Sequence, residues 1–297
     1  MASSSHGRTG QPPPGPYPGG LTHPSEVLMA NPALNDKRFE HETDEWRAGW
    51  ASPATATAVT ESGTRPAPPT ARGAVMTANG TFFKTFLLFL LVIAGGVFGW
   101  QQTDVSPTNQ IELSAVVWIS LFVGFGLAMV CIFKPKLSPV LAPLYAIAEG
   151  VFLGGISKAF ELRWDGIVFQ AVLATIGVFF ATLALYVFGV VKVTKKFQAV
   201  VIGATLGIMV MYLLGLVLSL FGVDMVFWND PTPLGILISV VICVVAALNL
   251  FLDYEFIRRA SLAGAPKYME WYGAFGIMVT LVWLYLEILR LLSLLRR

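Results

Sequence analysis

No histidine occurs beyond residue 41, and the chain of 297 residues holds only two cysteines, Cys131 and Cys243, each inside an apolar run. A disulfide framework is therefore not expected, nor is a Cys/His metal site. Charge is scarce as well: 13% of residues are charged, against about 25% in a soluble domain. The net charge of +2 gives no sign of a nucleic-acid surface, and none is expected. The opening "MASSSHGRTGQPPPGPYPGG" lacks an apolar core and is not read as a secretory signal.

What the chain does have falls into two zones. Residues 1–77 form a Pro/Gly/Ser/Thr-rich segment; residues 1–75 alone hold eleven of the eighteen prolines, with seven acids against six bases. Too little apolar surface is present to offset the entropy of ordering, so a disordered cytoplasmic tail is expected. Within it, "ANPALNDKRFEHETDEW" (30–46) is denser in charged and apolar residues, and is either a docking motif or inert solvated chain.

From residue 78 the chain is a series of apolar stretches near the roughly 20 residues that cross a bilayer. They span about 80–100, 113–133, 139–160, 167–191, 197–221, 233–254 and 268–294. The expected fold is an all-α membrane protein, a seven-transmembrane-helix bundle over 78–297 whose environment is a lipid bilayer. Short connections such as "KPKLSP", "WDG", "NDPTP" and "LAGAP" make consecutive helices antiparallel neighbours. Lys134, Lys136, Lys192, Lys195, Lys196, Arg258, Arg259 and Lys267 fall in the even connections, whereas the first and fifth carry only acids. The positive-inside bias then puts the N-terminus in the cytoplasm and, with an odd helix count, the C-terminus outside. Arg296 and Arg297 fit that poorly, which leaves a re-entrant or shortened last helix as the alternative.

Three carboxylates stand inside the spans: Glu149, Asp253 and Glu287. Each costs on the order of 3 kcal/mol at mid-depth, so each is expected to face the bundle interior, pair with a base or take up a proton. If helices six and seven turn at Gly264, Phe275 lies at the level of Asp253, Thr280 about 7 Å beyond it and Glu287 about 18 Å beyond. Asp253 and Glu287 are then not expected to touch. Glu149 adjoins a face of Gly150, Gly154 and Gly155 that admits a close helix neighbour and would bury Glu149 against it. The plainer alternatives are a neutral interhelical acid at Glu149, an ion pair of Glu287 with Arg290, and an ion pair of Asp253 with Arg258 or Lys134.

The last span has no lysine for a retinal Schiff base, and no histidine lies in the membrane part for a Ser/His protease. The helix facing Asp253 offers "GAFG" without a second aspartate for an aspartyl protease, and no phosphate-cradling glycine loop occurs. The expectation is a protein that is not an enzyme and carries no cofactor.

The stretch "LNLFLDYEFIRR…APKYMEWYGAFGIMVTLVWLYLEILRLLSLL", with "AEGVFLGGIS" and the seven-helix plan, resembles the Bax-inhibitor family (transmembrane Bax inhibitor motif proteins) over about 78–297, nearest an actinobacterial branch. The resemblance implies a pH-dependent calcium leak across a membrane, here the bacterial inner membrane; eukaryotic relatives temper ER calcium load and cell death. It also implies a pH-sensing pair of aspartates on helices six and seven. The first maps onto Asp253. The second position falls on Thr280, since "LYLEI" (284–288) sits seven residues too late. Either Glu149 or Glu287 substitutes, or gating rests on Asp253 alone. On this reading Lys134 or Lys136 would latch onto ionised Asp253, and calcium in transit would meet the oxygens of Asp253 and Glu149. The alternative is a non-conducting adaptor for a membrane protease or stress-response partner, docking through residues 31–46.

Overall fold

A computed structural model describes residues 75–105, 111–222 and 231–297. The tail up to residue 74, with its 31–46 segment, lies outside the described residues, as do Asp224 and Asp230. Among the described residues, seven helices are long and apolar enough to cross a membrane: α1 (Ala78–Gln101), α2 (Ala115–Phe133), α3 (Ser138–Glu161), α4 (Ile167–Val187), α5 (Lys195–Leu220), α6 (Pro233–Leu262) and α7 (Met269–Leu295). A short antiparallel hairpin, β1 (Thr103–Val105) and β2 (Ile111–Leu113), joins α1 to α2.

Local chemistry sets the helix ends. Thr77, Ser114, Thr194 and Thr232 cap α1, α2, α5 and α6, each hydroxyl accepting from a backbone N–H in the first turn. Glu161, at the end of α3, accepts from Gly166 N and Val168 N and so caps α4 from outside it. Gly264 takes φ 73° in the turn after α6, a conformation that favours glycine. Helix α6 runs on to Leu262 instead of stopping near 254, because its charged last turns are satisfied within the helix: Glu255 pairs with Arg258 and Arg259 at i,i+3 and i,i+4.

Helix α7 is the most enclosed of the seven and α5 the least. Helix α7 packs against α1, α3, α4 and α6, while the main partner of α5 is α6. Close contact between α1 and α3 comes from small residues on both: a Cβ at Gly95 or Gly99 would collide with the α3 backbone at Ile147 and Val151, and one at Gly150 or Gly154 with α1 at Val92 and Gly96. Helix α7 continues unbroken to Leu295, so no re-entrant turn occurs in it. Its terminal Arg296 donates to the Asp165 carbonyl and to Gln170, and Arg297 lies over the Trp164 ring, so both reach the α3–α4 connection.

Candidate functional site

Asp253 is fully buried on α6. Thr280 Oγ1, on α7, donates to its Oδ2 at 2.6 Å. The hydroxyl expected about a turn away is in fact the direct partner. The register differs because Ala265–Tyr268 intervene between the Gly264 turn and the first residue of α7, Met269. Ala265 accepts from Met76 N there, and Pro266 bridges to Val75, so this stretch does not add helical rise. Large buried side chains flank Asp253 along α6, at Leu250, Leu252, Tyr254 and Phe256, and Phe275 is buried on α7. The Tyr254 ring packs against Phe82, Phe179, Tyr186 and Phe251.

Arg258 does not pair with Asp253 as considered above. Five residues along a helix is about 140° of rotation, which puts the two side chains on different faces. Arg258 instead donates to Glu255 (2.7 and 3.0 Å) and to the Tyr186 hydroxyl (3.1 Å). Arg259 and Tyr186 donate to the same carboxylate. Lys134 and Lys136 are exposed where α2 turns into α3.

Glu149 is buried on α3. It does not share the neighbour of the glycine face. Gly150 and Gly154 face α1, whereas Glu149 Oε2 lies 3.0 Å from where a Cβ of Gly124 on α2 would stand. Residues one apart are 100° apart on a helix, so the two faces meet different partners. Gly155 faces Val117 of α2 and Thr103 of the hairpin, and its carbonyl accepts from the Thr103 hydroxyl.

Glu287 lies two turns beyond Thr280 and makes a separate site. Tyr212 of α5 donates to it, Arg290 approaches at 3.6 Å, and Arg290 also donates to the Tyr212 hydroxyl at 3.1 Å. The Glu287–Arg290 pairing considered above is present, with Tyr212 as a third member.

Two buried acids were not singled out from the sequence, Glu255, described above, and Glu270. Glu270, in the first turn of α7, is completely buried. It accepts from Thr77 N and Thr77 Oγ1 at 2.9 Å each and from Lys267 at 2.8 Å, and it pairs with Lys84. Lys84 Nζ also lies 5.5 Å from the Trp271 ring centroid. The signal available was weak: Glu270 and Lys267 at i,i+3 look like an ordinary surface pair.

Among the described residues, no three His, Cys, Asp or Glu side chains come together as a metal cage. A cation reaching Asp253 would therefore meet its carboxylate and the Thr280 hydroxyl, not a preformed cluster.

No curated protein and no solved structure matches the chain. A family model described as "Bax inhibitor 1 like" matches residues 31–297, and the chain belongs to that family. The match begins well upstream of α1 and takes in the 31–46 segment.

Proposed function

We propose that this member of the Bax-inhibitor family is a pH-sensitive calcium-permeable leak of the bacterial inner membrane, with its N-terminus in the cytoplasm and no enzymatic step or resident cofactor. The observation that carries the reading is the wholly buried Asp253 bonded to Thr280, between the two helices on which the resemblance would place a pair of acids. A membrane protein keeps an ionisable group at such a position where charge or proton traffic uses it. Calcium is the cargo that suits carboxylate and hydroxyl oxygens.

The Thr280 hydroxyl changes what the pair does. Two facing carboxylates share a proton and titrate as a coupled unit. A hydroxyl donates to a carboxylate and accepts from a carboxylic acid, so the Asp253–Thr280 bond survives in either state. Gating would then follow one proton on one carboxylate, with Lys134 or Lys136 drawn toward Asp253 when it is charged and released when it is not. Calcium flux into dye-loaded vesicles, followed across pH, tests this. The expected profile has a single step, which Asp253→Asn abolishes; an unchanged rate and profile in that variant removes the assignment.

The adaptor reading has one observation in its favour, the extension of the family match to residue 31. Deleting residues 1–74 separates the two. The leak reading expects flux unchanged, and the adaptor reading expects the cellular phenotype lost with flux unaffected by Asp253→Asn.

A further inference from the structure

Helix α5 carries Gln198, Thr205 and Tyr212 at intervals of seven residues, close to two full turns, so the three form one stripe. Between them, Val201 packs with Leu252, and Ile208 with Ile242 and Val245 of α6. The stripe therefore lies in the α5–α6 seam and not against lipid. Gln198 and Asn249 are each 2% exposed. Asn249 Nδ2 donates to Thr205 Oγ1 at 2.8 Å and to the Val245 carbonyl at 2.9 Å. The carbonyl can meet only an N–H, which fixes the orientation of the amide.

With the amide so fixed, Asn249 Oδ1 has no protein hydrogen-bond partner among the described residues, and neither has Gln198 Nε2. One needs a donor and the other an acceptor. Buried polar atoms are met by protein groups or by ordered water, and water serves both needs. Beyond Asn249 the stripe reaches Tyr212, where a cavity of about 460 Å³ is lined by Tyr212, Trp283, Glu287, Arg290 and Ser293. From Gln198 to Tyr212 the stripe covers about 21 Å of helix axis, most of a bilayer core.

We propose that the α5–α6 seam is a hydrated path, with water held at Gln198 and Asn249 and entering through the Tyr212–Glu287–Arg290 cavity. It is separate from the Asp253–Thr280 bond and stands whether or not Asp253 governs flux. The seam's ligand is water.

Single cysteines placed at Thr205 and at Leu206 in a Cys131→Ala, Cys243→Ala background test this in vesicles. Leu206 is 46% exposed at nearly the same depth, on the lipid side. A small, membrane-impermeant cationic methanethiosulfonate reacts with a thiol in water, so Thr205→Cys should be modified at least tenfold faster than Leu206→Cys. Equal or slower modification overturns the proposal. A second measurement needs no substitution: in the full chain in lipid, magnetisation transfer from water to the Gln198 and Asn249 side-chain amide signals is expected, and its absence at both overturns the proposal even if the cysteine variants fail to fold.

Discussion

Glu270 and Asp253 lie on one helical hairpin, and both are wholly buried carboxylates. Around Glu270 stand two lysines, a backbone N–H and a threonine hydroxyl. It ties the segment entering α1 to the start of α7, two places nearly two hundred residues apart, and its charge is matched where it sits. Asp253 instead accepts from a neutral hydroxyl, that of Thr280 on the facing helix. Stability explains the first arrangement. Equal burial thus covers two arrangements, an acid met by two lysines and one bonded to a hydroxyl of the facing helix.

The contrast can be broken by substitution. Glu270→Gln should have the largest effect on stability, about 3–5 kcal/mol, because it leaves Lys84 and Lys267 without their counter-charge. Unfolding in detergent measures this, and a loss below that of Thr280→Val would erase the distinction. Thr280→Val should cost about 1–3 kcal/mol by taking the hydroxyl partner from a buried carboxyl group, and should shift the pH at which calcium flux changes. Asp253→Asn should lie within about 1 kcal/mol of the unmodified protein, since the amide oxygen still accepts from Thr280, yet flatten the pH profile of flux. Arg258→Ala should be mildest, under about 1 kcal/mol, because the Arg258 side chain is 55% exposed and Arg259 and Tyr186 remain on Glu255.

How much of this was legible beforehand depended on distance along the chain. Runs of apolar residues and their Gly/Pro breaks announce seven helices, since hydropathy depends on composition alone. The pairing of Glu287 with Arg290 follows from helical spacing, and Glu255 with Arg258 was open to the same reasoning. The Asp253–Thr280 neighbourhood was approachable by counting along a hairpin, but the count missed by the non-helical stretch 265–268, whose shape depends on Val75 and Met76. Glu270 with Thr77, Tyr212 with Glu287 and the α1–α3 glycine contact join helices far apart in sequence. Nothing local marks them, because their partners are chosen by how the whole bundle packs.

The enclosure of α7 carries a consequence for biosynthesis. The most enclosed helix is translated after the other six, and Thr77 and Lys84 must wait for all of them before Glu270 arrives. Until α7 leaves the ribosome, the six earlier helices lack the neighbour that α1, α3, α4 and α6 pack against, and a nascent chain truncated before α7 should be handled by the cell as an unfinished membrane protein.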